Sequence, residues 1–363
     1  MNRRNGASPV IHSLGWLCPI LMMGAAPAVP SILPRLDLEY LARNADLIVV
    51  GRAVSQERVQ QTTLGPDEGN IPAWITIVRL DVEKLIKGEL ETGGVSFRVV
   101  QPVEGVGAEA PRVKGVRLGQ FGVFFLHRTD TGYEVLSPYY PFLPSAPGAP
   151  AGQGNYLDAV SAELVHVFRS RDPSVQSRFT RWEVVRALQS LRTPSATIAL
   201  KAAAEDRDPI IRVWAISALL MRNDISMLGQ VEKLGQIHPD PYLKNLTAQL
   251  YPALASVKDK RAIPQLTHLL HSKDVNIRRG AAAGLRNIQD AAVIQPLSES
   301  LYDHDREVQY QAVIGLAEIT GAPSEWSPAY DTFLKDEKRY LDYWREWAKP
   351  RNERQPPESS SNK

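Results

Sequence analysis

One phrase recurs five times through the C-terminal half of this 363-residue chain: Asp172-x-x-Val175-Gln176, Asp208-x-x-Ile211-Arg212, Asp240-x-x-Leu243-Lys244, Asp274-x-x-Ile277-Arg278 and Asp305-x-x-Val308-Gln309. The intervals are 36, 32, 34 and 31 residues. A fixed period of this length limits the fold to a stack of supersecondary units, each burying its apolar face on its neighbours. Each Asp can accept bonds from the free N–H groups of a new helix, and Pro173, Pro209 and Pro241 follow where a missing N–H costs nothing. The phrase therefore reads as a helix start.

Seven residues beyond the Asp stand Ala215, Thr247, Ala281 and Ala312, small enough for helices to approach closely, and eleven beyond it stand Leu219, Tyr251, Leu285 and Leu316. The first copy departs, with Phe179 and Glu183 at those places, as terminal repeats do. A second helix follows in each unit, clearest where Ile263, Leu266 and Leu270 match Ile294, Leu297 and Leu301 at 31 residues. Two antiparallel helices per unit make an α-solenoid, assigned to 157–349. These residues resemble the HEAT repeat, in the short bacterial form whose members include the phycobilisome-lyase type. The resemblance implies a rigid surface for a protein partner.

The preceding region reads differently. Leu47-Ile48-Val49-Val50-Gly51-Arg52-Ala53-Val54 is rich in β-branched residues, and Trp74, Thr76, Val78, Leu80 and Val82 alternate with a more polar set. Val95, Phe97 and Val99, then Phe121 to Leu126, then Tyr133 to Leu136 complete five strands after a helix-like entry at Leu36 to Asn44. A small, mainly β barrel or sandwich over 29–140 is the expectation. The strings Ala45 to Gly51, Val82 to Gly88 and Leu118 to Leu126 resemble the netrin-like module, an OB-type barrel. The amino-terminal cysteine and disulfides on which the protease inhibitors of that group depend are missing, so inhibition is not carried over. An OB-type barrel also allows saccharide or peptide binding on its open face. Pro141 to Gly154 holds four prolines and three glycines and is read as part of a linker, 141–156.

The ends carry their own signals. Residues 1–28 combine Arg3 and Arg4, an apolar stretch from Leu14 to Ala26 and the triplet Ala26-Pro27-Ala28, the three parts of a removable signal peptide. Cleavage would leave a chain beginning at Val29, exported to the periplasm or outside the cell. The apolar stretch is short of the roughly 20 residues that span a bilayer. Removal takes the one cysteine, Cys18, and balances 42 basic against 40 acidic residues to 40 against 40. A neutral chain without a Lys/Arg block lacks the footprint of nucleic-acid binding. Residues 350–363 are polar and rich in Pro and Ser, as disordered tails are.

Little in the sequence suggests catalysis: no nucleophile elbow, phosphate loop or zinc-protease motif occurs. His268 and His271 lie three apart on a helix with His304 in a later turn, but repeat alignment sets His268 opposite Glu299 and does not bring three ligands to one ion, so neither metal nor cofactor is expected. Tyr340, Tyr343, Trp344 and Trp347 fall on one face of a helix and, with Trp326, Tyr330 and Phe333, read as a cap on the open solenoid end. For the partner surface, alignment selects Gln265, Thr267, His268, Ser298 and Glu299 as exposed polar positions of two consecutive second helices. The reading is a non-catalytic extracytoplasmic scaffold binding an unidentified protein. Alternatives are an enzyme or chaperone related to HEAT-repeat chromophore lyases, or saccharide binding by the β domain.

Overall fold

The computed structural model describes residues 36–64, 70–90, 94–103, 113–149, 154–235 and 246–349. The expected leader, the tail and Asp240 lie outside them. No helix among the described residues is long and apolar enough to cross a membrane.

The N-terminal part is a barrel. Strands β1 (Leu47–Thr63), β2 (Pro72–Lys87), β3 (Gly94–Pro102), β4 (Phe121–Thr129) and β5 (Gly132–Val135) pair in the order β1-β2-β3-β5-β4, and β1 returns to β4 to close the ring. Closure runs from Leu47 opposite Leu126 to Arg52 opposite Phe121, and β3 and β5 are parallel neighbours at Phe97 and Tyr133. The OB-like barrel is thus formed and the sandwich is not. Leu47, Val49, Val78, Leu80, Phe97, Phe124 and Leu126 fill its interior.

The alternate residues of β1 and β4 are buried too. Ile48, Val50, Phe121, Val123 and Phe125 belong to a second core shared with the helices, which is why both strands are apolar without alternation. Helix α1 (Leu38–Asn44) joins that core, its Leu38 amide donating to Ser190 Oγ at 2.9 Å.

The expected linker is a correction. Phe142–Pro144 forms a sixth strand, β6, on β4, with Phe124 opposite Phe142, and Leu143, Ser145 and Ala146 are fully buried. Proline and glycine rule out a helix there, but they do not stop a three-residue strand from closing the junction.

Beyond it, helices α2 (Tyr156–Arg169), α3 (Arg178–Ser190), α4 (Pro194–Ala204), α5 (Pro209–Leu220), α6 (Leu228–Gly235), α7 (Leu250–Ala255), α8 (Ile263–Leu269), α9 (Val275–Ile288), α10 (Ile294–Ser300) and α11 (Arg306–Thr320) form a two-row solenoid. The first row is α3, α5, α7, α9 and α11; the second is α2, α4, α6, α8 and α10. Two glycines bring α9 onto α7: a Cβ at Gly280 would lie 2.9 Å from Leu254 Cβ, and one at Gly284 would lie 2.7 Å from Leu254 O.

Asp208, Asp274 and Asp305 accept from the amides of Ile210, Asn276 and Glu307, starting α5, α9 and α11. Asp172 does not start α3. It caps a single 3-10 turn, Pro173–Val175, and α3 begins five residues later under Ser177, whose Oγ accepts from Thr180 N at 3.1 Å. Counted from Ser177, the seventh and eleventh residues are Val184 and Leu188, both fully buried. The first copy therefore obeys the repeat once its true cap is used, and Phe179 is freed from any core position.

Helices α12 (Tyr330–Lys335) and α13 (Glu337–Ala348) lie over α10 and α11. Trp344 is fully buried and donates its Nε1–H to Trp326 O at 3.2 Å, while the Tyr343 and Trp326 rings stack 3.6 Å apart. Phe333 and Tyr340 are buried beside them, and Trp347 is half-buried, meeting Trp344 edge-on at 5.5 Å.

Candidate protein-binding surface

The five polar positions selected from the sequence lie on α8 and α10, with Gln265, His268 and Glu299 exposed and Thr267 and Ser298 half-buried. Ser298 spends its hydroxyl on Ile294 O, 2.8 Å away within its own helix. His268 does not reach forward to Glu299; its Nε2 stands 3.1 Å from Glu232 on α6, one repeat back, and Glu299 accepts from Gln295. Glu299, His271 and His304 instead share a cleft of about 380 Å3 with Arg278 and Tyr302.

A denser arrangement occupies the opposite row. Tyr251 on α7 places its hydroxyl 3.3 Å from Glu307 Oε1 on α11, two repeats further on. Glu307 also accepts from Gln311 Nε2 at 2.7 Å, Gln311 Oε1 accepts from Arg286 at 3.2 Å, and Arg286 holds Glu318 through two bonds of 2.9 and 2.5 Å. Arg279 grips the second function of the capping Asp305 with bonds of 2.8 and 2.7 Å. Tyr310 stacks edge-on with Tyr330 at 4.9 Å.

The electrostatics follow from this packing. Burial raises the pKa values of Tyr251, Tyr310 and Tyr330, and the Glu307 carboxylate raises them further, so all three keep their protons as donors. Bonds to Glu318 and Asp305 raise Arg286 and Arg279 against the opposing effect of burial. Asp305 feels burial most, which would raise it, yet Arg279 and the amides of Val308 and Glu307 together hold it below the ordinary 3.8. The network is a pre-ordered polar face in which both charges of each pair are satisfied.

The same row carries aromatic and cationic side chains at its other end. On α3, Phe179, Trp182 and Arg186 follow at helical spacing on one stripe. Trp182 meets Trp214 of α5 edge-on at 6.0 Å, and the Arg186 guanidinium lies 4.8 Å from the Trp182 ring centroid. Counted from their caps, Trp182, Arg279 and Tyr310 hold the same position, five residues along, and Trp214 and Gln311 the sixth, so the row is in register. Reading Tyr251 as a core residue and Phe179 as an irregular repeat position hid this face. The signal that could have found it is the recurrence of Trp, Tyr and Arg one or two residues before the small position of the first helices.

Residues 231–317, from α6 into α11, match the HEAT repeat family. Among solved structures, an engineered protein is similar at 20% identity over 53% of this chain, with a TM-score of 0.29. The chain spans 57% of that protein's length. No curated protein matches the chain.

Proposed function

We propose that this chain is an exported, non-catalytic scaffold that holds a protein partner on the first-helix row of its HEAT-type solenoid. The carrying observation is where the side chains that dominate binding energy reside. Trp, Tyr and Arg are the residues enriched at energetic centres of interfaces. Trp182, Trp214, Tyr251 and Tyr310 with Arg186, Arg279 and Arg286 lie on the first row, with Tyr330 of α12 packed against Tyr310, whereas Gln265, Thr267, His268, Ser298 and Glu299 lie on the second. Solenoid arrays present extended surfaces of this kind to protein partners. The leader-like N-terminus supports action outside the cytoplasm.

The test is recovery of a stoichiometric partner from the native envelope fraction by the full processed chain. Trp214→Ala with Tyr330→Ala is expected to abolish recovery, and His268→Ala with Glu299→Lys to leave it intact, with each variant still giving a cooperative melt well above the assay temperature. The opposite pattern would favour the second reading, a site on the second-row edge, for which the cleft beside Glu299 and Tyr302 is the supporting observation.

A further inference from the structure

The N-terminal end of the first row differs from the rest in charge and exposure. Phe179 is 81% exposed on the surface of α3, a large apolar ring that contributes nothing to the core. Trp182 of α3 and Trp214 of α5 lie half-buried edge to face, and Arg186 bridges Trp182 to Tyr140, just ahead of β6. Aromatic surface with a fixed guanidinium beside it is a built anchor point.

The chain segment that builds it is rich in basic residues. From Arg169 to Arg222 the chain has ten basic and five acidic residues. Four of those acids are already engaged: Asp172 caps its turn, Glu183 pairs with Lys114, Asp206 takes two bonds from Arg181, and Asp208 takes Arg178 while capping α5. The basic surplus is displayed, with Arg169, Arg171, Arg192 and Arg207 all exposed. Arg207 reaches Gln176, one turn before Phe179, at 3.2 Å. Around Tyr251 and Glu307, by contrast, each arginine meets its own carboxylate.

Resting on the scaffold reading above, we infer that the α3–α5 end of the row docks an acidic protein segment carrying an aromatic anchor. The anchor ring enters beside Trp182 and Trp214, Phe179 covers it, and the segment's carboxylates meet Arg186 and the exposed arginines. Such a contact gains on-rate from charge and affinity from the desolvated rings.

The probe is a short synthetic peptide of alternating Glu and Asp with one central Phe, labelled for fluorescence anisotropy, titrated into the full processed chain. Three controls accompany it: the Lys counterpart, the acidic peptide with Phe replaced by Ser, and a single-stranded oligonucleotide. Saturable binding is expected for the acidic Phe peptide alone, weakening with added salt as surface charge is screened. Phe179→Ala, which leaves the core untouched, and Arg186→Gln should each weaken it about tenfold or more, in line with loss of an interface anchor. The inference fails if the acidic Phe peptide does not bind, if the Ser peptide or the oligonucleotide binds as well as it does, or if Phe179→Ala changes nothing. Should it fail while Trp214→Ala with Tyr330→Ala still abolishes partner recovery, the scaffold reading stands and only the chemistry of its partner is wrong.

Discussion

At the scale of single residues, Trp344 and Asp305 show how differently one site can carry stability. Trp344 is fully buried, and its indole N–H is satisfied by Trp326 O, so Trp344→Ala opens a cavity and orphans a carbonyl. Truncating a buried aromatic costs about 3–5 kcal/mol, and thermal melting should register a loss of that order. Trp347 is half-buried and should cost visibly less. Asp305 acts through charge. Its folded pKa is held below 3.8, so its ionised form stabilises the fold fully above the ordinary aspartate range and that contribution is lost as pH falls through the lower folded value. Asp224, where burial is again outweighed by Ser226 and Lys201, has the same sign. Stability should therefore be flat from neutral pH to about 5 and fall below about 4, with a shallower fall in Asp305→Asn, measured by urea unfolding across pH.

Among elements, the instructive one is α3. The repeat phrase locates α5, α9 and α11 correctly because an Asp side chain bonding the next turn's amides is a local event, settled by nearby residues. It misplaces α3 because Asp172-Pro173 caps a turn that stops after three residues, and Ser177 then restarts the chain as a helix. Asp caps also open the turns before the second helices: Asp224, Asp259 and Asp290 accept from Ser226, Arg261 and Ala292, a second periodic signal present in the sequence. The strands were readable from β-branching and alternation. Their pairing order, the closing β1–β4 ladder and β6 were not, because these depend on partners far along the chain. The first-row polar face was hidden for the same reason: Tyr251 meets Glu307 across α9, whose Gly280 and Gly284 pack closely on Leu254 of α7. If the caps are as described, Ser177→Ala should cost about 1 kcal/mol, as should Asp274→Ala, whereas Asp172→Ala should cost a few tenths. Equal losses at Asp172 and Ser177 in chemical denaturation would restore the original helix start.

For the molecule as a whole, the decisive fact is that barrel and solenoid share a core. An α-solenoid must cover the apolar surface at its first helices, and here β1, β4, β6 and α1 do so, placing Ile48, Val50, Phe125 and Leu143 in one cluster with Val184 and Leu188. A buried ion pair fastens the seam: Glu163 of α2, 1% exposed, accepts from Lys84 of β2 at 2.7 Å and from Ser145 Oγ at 3.1 Å. Lys87 adds bonds to the C-terminal carbonyls of α1 at Ala42 and Arg43, which face the positive charge as helix C-termini prefer. A partner held on α3 and α5 would thus be presented at a fixed angle to the barrel. The consequence is cooperative unfolding. Amides of β1 and of α5 should exchange hydrogen with the same opening free energy, and heating should give one transition. Removing the Glu163 carboxylate leaves Lys84 facing a buried gap, and breaking a pair of this kind costs about 3 kcal/mol. In Glu163→Ala that loss should appear in β1 and α5 amides alike, although β1 does not touch the substituted side chain. Two transitions, or a loss confined to the helices, would show that the barrel is an independent domain resting on the solenoid.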